Sequence, residues 1–123
     1  MNLPANHQTI MPYLILNGAS EFIGFTQKVF HSEKTTEVLN QDGTIRHAEI
    51  IINGSTIMCT DEIEGWTKQT SNLFIYVPDV DKTYQKALDN GATSLMGLSN
   101  QDYGRTCGVT DPFGNVWWIT SII

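Results

Sequence analysis

The chain has 123 residues, of which 41% are hydrophobic, and this size and composition fit one domain with a packed core rather than a disordered segment. The net charge of −6 argues against a nucleic-acid partner, because phosphate binding needs clustered Lys and Arg. No apolar run approaches the roughly 20 residues that a membrane span needs. The first residues also lack the basic start and apolar stretch of a signal peptide, so we expect a cytoplasmic protein with no membrane partner.

Cys59 and Cys107 are the two cysteines of the chain. Thiols of an intracellular protein are usually buried and behave as small hydrophobic side chains. The alternatives are a catalytic thiol or a disulfide between the two.

The first half of the chain contains one helix pattern among four strand patterns. Apolar residues at helical spacing predict a helix at Ala19–Phe30, with Asn17 and Gly18 as its cap. Asn53 and Gly54 predict a two-residue hairpin loop, because both residues tolerate positive φ. The predicted strands are residues 9–16, 33–39, 45–52 and 55–60.

The second half repeats this order after a polar segment, residues 61–71, which we interpret as a linker. Asp79 is the predicted cap of a helix that continues through Asn90, and Gly91 is its stop. Residues 111–114 form a predicted turn. The predicted strands are residues 72–77, 92–96, 103–110 and 115–122, so both halves read βαβββ.

Several segments, in this order along the chain, resemble the vicinal oxygen chelate superfamily, which includes glyoxalases, bleomycin resistance proteins and dioxygenases. Two of them, within residues 47–62, resemble its PhnB-like branch in particular. The similarity extends over residues 8–122. The segments are residues 13–16 with 25–30, 47–50 with 57–62, 77–81 with 87–92, and 103–105 with 111–117.

The resemblance implies an α+β fold in which two βαβββ modules form a curved mixed sheet around a cup, with helices on the outer face. It divides the chain into an N-terminal tail, residues 1–8, and a single domain, residues 9–123. The modules of that domain are residues 9–62 and 71–123. The resemblance also implies a homodimer.

The hairpin loop at Asn53 and Gly54 predicts which residues share a face. Ile52 should lie opposite Ser55, so Glu49 should lie opposite Met58. Strand alternation then gives one apolar face and one mixed face. The apolar face carries Ala48, Ile50, Ile52, Ile57 and Cys59, and the mixed face carries His47, Glu49, Ile51, Thr56, Met58 and Thr60. We expect the mixed face to line the cup.

The resemblance also implies metal-ligand positions, which fall on Met11, Met58, Asn72 and Trp118 of this sequence. Two thioethers, an amide and an indole do not supply the oxygen or imidazole donors that such metals need. A shift of the alignment by one residue would not restore a site, because it gives Pro12, Cys59, Leu73 and Trp117. We therefore expect neither a metal nor another cofactor.

The same alternation places aromatic and Met side chains on the cup side, and such side chains are typical of small-molecule pockets. The alternative is that they fill the interior of the sheet. These residues are Met11, Tyr13, Ile15, Phe74, Tyr76 and Trp118.

His47 and Glu49 share a face, so they form either a polar ligand anchor, an acid–base pair or a structural hydrogen-bonded pair. Arg105 either binds an anionic ligand or pairs with Asp102 or Asp111.

The sequence thus predicts a metal-free protein that binds a small hydrophobic or cationic compound. One alternative is a metal-dependent enzyme of the glyoxalase or dioxygenase type, and another is a regulatory domain that binds a peptide in its cup. The predicted ligand-binding residues are Tyr13, His47, Glu49, Met58, Asn72, Phe74, Tyr76, Arg105 and Trp118.

Overall fold

The computed structural model describes residues 1–123, which form two helices and eight strands. In chain order these are β1 (Tyr13–Leu16), α1 (Ala19–Phe30), β2 (Glu33–Leu39), β3 (Ile45–Ile52), β4 (Ser55–Asp61), β5 (Asn72–Tyr76), α2 (Val80–Asp89), β6 (Thr93–Gln101), β7 (Gly104–Thr110) and β8 (Val116–Ser121). Neither helix is both long and apolar enough to cross a lipid bilayer.

The strands form two four-stranded mixed sheets with the orders β1-β4-β3-β2 and β5-β8-β7-β6. In each sheet the first strand of a module pairs in parallel with the last, and the other neighbours are antiparallel. This confirms the two predicted βαβββ modules. The chain separates into unit 1, which comprises Met1–Gln27 and His31–Thr70, and unit 2, which comprises Lys28–Phe30 and Ser71–Ile123.

The β3–β4 hairpin of unit 1 has the predicted loop and register. Asn53 and Gly54 both have positive φ, 45° and 90°, as a tight two-residue loop requires. Ile52 pairs with Ser55, and Glu49 pairs with Met58. The predicted apolar face of this hairpin is buried, at 8% exposure or less for every member: Ala48, Ile50, Ile52, Ile57 and Cys59.

Two strands differ in length from the prediction by four residues each, and four others differ by one or two residues. β1 begins at Tyr13 rather than at residue 9, after Pro12, which has no amide hydrogen to donate. β6 continues to Gln101, five residues beyond the predicted end, and there Gln101 pairs with Gly104. Of the added residues, Gly97, Ser99, Asn100 and Gln101 are small or polar and Leu98 is apolar, and all lie on an edge strand. A single apolar residue makes no strand pattern, so the sequence did not indicate this extension.

The segment between the modules is more ordered than the predicted polar linker. Ile63 and Trp66 exchange two backbone hydrogen bonds, and Gly65 between them has a φ of 87°. Further on, Gln69 exchanges two backbone hydrogen bonds with Ile15 of β1. These bonds hold the 63–66 turn beside the sheet of unit 1.

The N-terminus of α1 is capped by Asp61, the last residue of β4. The carboxylate oxygen Oδ1 of Asp61 accepts the amide hydrogens of Gly18 and Ala19 at 3.1 and 2.8 Å. Its Oδ2 accepts the amide hydrogen of Ile45 at 2.7 Å. The predicted position of the cap is correct, since Gly18 is the N-cap residue. The predicted acceptor is wrong, because glycine has no side chain and the carboxylate of Asp61 accepts instead.

The N-terminus of α2 in unit 2 has the predicted cap. Oδ1 of Asp79 accepts the amide hydrogen of Lys82 at 3.1 Å. The last strand of this module also contributes, since Oγ of Ser121 accepts the amide hydrogen of Val80 at 2.8 Å. In both modules the last strand thus supplies an acceptor to the amide groups at the helix start.

The β7–β8 turn of unit 2 is organised around the buried carboxylate of Asp111. It accepts the backbone amide hydrogens of Phe113 and Asn115, the side-chain amide of Asn115 and the indole N–H of Trp117. Trp117 is 1% exposed, and its ring lies 4.5 Å from that of Phe30. Trp117 is therefore a core residue, on the face of β8 opposite to Trp118, which the alternation placed on the cup side.

Candidate functional site

The mixed face of unit 1 brings together the four candidate residues of this unit. Tyr13 of β1 pairs with Met58 of β4, and Met58 pairs with Glu49 of β3. His47 lies two residues from Glu49 on the same strand and on the same side. Tyr13 is half exposed, while His47 and Met58 are partly buried.

Glu49 is a buried carboxylate, 8% exposed, with a histidine at each oxygen. Nε2 of His47 lies 2.8 Å from Oε2, and Nε2 of His7 lies 2.7 Å from Oε1. Burial opposes ionisation of Glu49, but the hydrogen bonds and positive charge of the two histidines outweigh it and lower its pKa below the ordinary value. The carboxylate is thus held in its charged form and is occupied on both oxygens.

The chain of polar contacts continues from His47 to Tyr13. The Tyr13 hydroxyl lies 3.3 Å from Nδ1 of His47, and the two rings are 5.6 Å apart. When His47 is neutral and its Nε2 donates to the carboxylate, Nδ1 accepts from the phenol; when His47 is protonated, Nδ1–H donates to the phenol oxygen. Both imidazole nitrogens are then engaged, which favours a hydrogen-bonded anchor over a free acid–base pair.

His7 is the residue of this group that the sequence did not indicate, since residues 1–8 read as a tail. The segment is fixed by Gln8, whose side chain donates to the carbonyl of Thr56 and accepts its amide hydrogen. The Thr56 hydroxyl also donates to the carbonyl of Asn6. No periodicity in these residues points to the contact, because His7 and Glu49 are 42 residues apart.

The face of the unit 2 sheet that carries Phe74, Tyr76 and Trp118, called here the mixed face of unit 2, has an exposed aromatic cluster. Phe74 pairs in register with Trp118, and its ring lies 5.2 Å from Tyr76 and 6.2 Å from Tyr103. Phe74, Tyr76 and Tyr103 are each more than half exposed. Contiguous exposed apolar patches often mark ligand or interaction sites. Four neighbouring aromatic side chains with free surface therefore form a candidate ligand surface.

Trp118 belongs to β8, and its indole ring lies over Gly108, its cross-strand partner on β7. A Cβ atom at Gly108 would come within 2.5 Å of Cζ3 of the indole, so only glycine leaves room for the ring. The indole N–H also donates to Oδ1 of Asn72 at 3.2 Å. Together, the glycine and the amide hold the indole in place on the mixed face.

Arg105 does not join the other candidates. Its neighbour Thr106 shares the face of Gly108 and Trp118, so Arg105 lies on the opposite face. Its guanidinium donates to both carboxylate oxygens of Asp81 on α2, at 2.7 and 3.1 Å. Arg105 therefore pairs with neither Asp102 nor Asp111, the two partners that the sequence suggested. We leave Arg105 out of the candidate surface.

A cavity of about 400 Å³ adjoins the mixed face of unit 1. Its volume lies within the range of about 300–1,000 Å³ that is typical of small-molecule sites. Of its lining residues, the sequence placed Tyr13, Ile15 and Thr60 on this side. Its lining includes Tyr13, Ile15, Arg46, Thr60, Asp61 and Trp66, together with Asn40 and Ile63.

Arg46 reaches this cavity because β3 contains a bulge. Val38 pairs with His47, but the next residue, Leu39, pairs with Ile45, so Arg46 has no partner on β2. Strict alternation would have put Ile45 on the mixed face and Arg46 on the apolar one. Instead Ile45 is 1% exposed in the core and Arg46 lines the cavity. Bulges commonly redirect a side chain in this way.

The residues at the implied metal-ligand positions do not fit a metal. In unit 1 these are the thioethers Met11 and Met58, which are poor donors to hard cations. In unit 2 the indole N–H of Trp118, which has no lone pair to offer, is bonded to the oxygen of Asn72. No three His, Cys, Asp or Glu side chains of the chain are grouped so as to hold a metal.

The two thiols are both buried and unpaired with each other. Burial raises the pKa of Cys59 to about 12, with a further contribution from the negative charge of Asp61. Burial also raises the pKa of Cys107 to about 11. Both thiols therefore stay protonated at neutral pH, a state that does not favour nucleophilic chemistry.

Two comparisons with known sequences match most of the chain. The family model described as the Glyoxalase/Bleomycin resistance protein/Dioxygenase superfamily matches residues 19–119. An uncharacterized protein of Mycobacterium bovis is 34% identical over 122 aligned positions, which cover 88% of this chain and 79% of that protein. A relative in Mycobacterium tuberculosis has the same identity, with 71% of its length covered.

Solved structures share the fold at lower identity. The PhnB protein of Bacillus cereus superposes with a TM-score of 0.77 at 22% identity and covers 93% of this chain and 99% of its own. TnmS3, described as an antibiotic binding protein from Streptomyces, gives a TM-score of 0.72 at 17% identity, with coverage of 95% and 100%. The expected resemblance is confirmed, and the chain belongs to the Glyoxalase/Bleomycin resistance protein/Dioxygenase superfamily.

Proposed function

We propose that this protein binds a small hydrophobic compound without a metal, in the manner of a sequestering protein. The observation that carries the proposal is the exposed aromatic cluster of unit 2: Phe74, Tyr76, Tyr103 and Trp118. Stacking on such side chains typically contributes about 0.5–1.5 kcal/mol beyond the burial of area. The description of TnmS3 as an antibiotic binding protein is consistent with this chemistry on the same fold.

The residues at the family's metal positions support binding without a metal. Trp118 and Asn72 are bonded to each other, and Met11 and Met58 offer only thioether sulfur. The metal-dependent enzyme is the less favoured function for the same reason. We further propose that the protein is cytoplasmic and acts as a homodimer.

The test is a titration of tryptophan fluorescence with a panel of hydrophobic antibiotics and dyes, together with elemental analysis of the purified protein. We expect saturable binding by at least one compound and far less than one equivalent of zinc, nickel, manganese or iron. Trp118→Ala should weaken that binding more than tenfold, since each 1.4 kcal/mol corresponds to a factor of ten. A stoichiometric metal that survives dialysis, or a panel without any binding, would contradict the proposal.

A further inference from the structure

The cavity of unit 1 is lined by aromatic and apolar side chains and by two charged residues. Tyr13 and Ile15 come from β1, and Trp66 comes from the 63–66 turn. Trp66 is 65% exposed, but its backbone is fixed by the paired bonds with Ile63. A turn held by two backbone hydrogen bonds thus presents an indole ring to the cavity, which suits a planar aromatic compound.

Asp61 lines the cavity, but its negative charge is already engaged. Its two oxygens accept three backbone amide hydrogens, from Gly18, Ala19 and Ile45. Two of these donors belong to the start of α1, where the helix dipole places partial positive charge. A cationic ligand would therefore compete with contacts that hold the fold together.

Arg46 is the charged residue of the cavity that has no partner. None of the ion pairs of the chain includes it, and no hydrogen bond of its guanidinium is found. Its side chain is exposed and lines the cavity because of the bulge in β3. Guanidinium groups bind carboxylates through two parallel hydrogen bonds, so the cavity offers a site for an anion.

We propose that the unit 1 cavity binds a planar aromatic compound that carries a carboxylate or a similar anionic group. The ring stacks on Trp66 and Tyr13, and the anion pairs with Arg46. The net charge of −6 would favour a cationic ligand, whereas the cavity favours an anionic one. The difference arises because the unpaired charge inside the cavity is that of Arg46. The inference goes beyond the proposed function, because it concerns a second site, in unit 1, and not the aromatic cluster of unit 2.

The test compares three ligands with the same ring system: naphthalene-2-carboxylate, 2-naphthylmethylammonium and 2-naphthalenemethanol. Isothermal titration calorimetry measures their affinities for the wild type and for Arg46→Gln. We expect the carboxylate to bind the wild type best, and its affinity to fall about tenfold or more in Arg46→Gln, as for loss of a charge-assisted hydrogen bond. Binding of the neutral alcohol should be unchanged, and Trp66→Leu should weaken both.

Arg105→Gln is the matched control, because Arg105 belongs to unit 2, does not line the cavity and is paired with Asp81. It should leave the carboxylate affinity unchanged. Arg46→Glu should invert the preference toward the ammonium compound. Equal carboxylate binding by the wild type and Arg46→Gln would overturn the inference, as would tighter wild-type binding of the ammonium compound or no binding of any of the three at millimolar concentration. The proposed function would still stand on its own panel and on Trp118→Ala.

Discussion

Trp117 and Trp118 are adjacent in the sequence but lie in different environments. Trp117 is 1% exposed and donates its indole N–H to Asp111 at 2.8 Å, whereas Trp118 is half-buried on the mixed face. Trp117→Ala should cost about 3–5 kcal/mol of unfolding free energy, because it empties a packed site. Trp118→Ala should cost less. Urea unfolding of both variants measures the difference, and a larger loss for Trp118→Ala would show that the two faces of β8 are reversed.

Glu49 contributes a stability that depends on pH. Its pKa is lowered in the folded protein, so its contribution is present above the ordinary value of 4.5 and is lost as the pH falls through the lower folded value. Glu49→Gln should therefore destabilise the fold by about 1 kcal/mol near neutral pH, and the difference from the wild type should shrink in acid.

The control for this variant is Glu64→Gln, which changes an exposed carboxylate in the 63–66 turn. Urea unfolding near neutral pH and well below pH 4.5 gives both differences. A destabilisation by Glu49→Gln that stays constant across this range would contradict the role of the charged carboxylate between His7 and His47.

At the scale of the elements, the β3–β4 hairpin depends on glycine in its loop. Gly54 has a φ of 90°, which a β-branched residue resists. Gly54→Val should therefore cost more than about 1 kcal/mol. Gly24→Ala is the matched control, because that glycine lies inside α1 with open space around a new Cβ, and this change should stabilise the fold by roughly 0.5–1 kcal/mol. An unchanged melting temperature for Gly54→Val would contradict the loop geometry.

The start of α1 depends on Asp61, which joins this helix to β4 and β3. Asp61→Ala removes the acceptor of three backbone amide hydrogens and should cost about 2 kcal/mol, at the upper end of capping effects. Asp79→Ala removes a single accepted bond at the start of α2 and should cost about 1 kcal/mol. Thermal unfolding by circular dichroism compares the two, and an equal loss would mean that the additional bonds of Asp61 contribute little.

At the scale of the whole molecule, β2 and β6 are each one of the two outer strands of their sheet, and both are largely exposed. Unpaired strand edges favour association with another strand, and symmetric dimers are the commonest assemblies. Light scattering should therefore give twice the chain mass of 13.7 kDa. A mass of 13.7 kDa at every concentration would reject the dimer.

The sequence by itself determined the order of the elements and the faces of the β3–β4 hairpin. Helical spacing gave both ends of α1, and Asn53 with Gly54 gave the register that pairs Glu49 with Met58. These features depend on local backbone geometry and on the two-residue period of a strand, both of which can be read within a few residues.

Tertiary structure alone decided which residues complete the site. His7 reaches Glu49, and Asp61 reaches Ala19, across 42 residues in each case, so no local pattern encodes either contact. Arg46 lines the cavity because a bulge interrupts the alternation that a sequence argument must assume. The position of Trp66 depends on the backbone bonds of its turn, and these follow from the path of the chain rather than from a hydrophobic period.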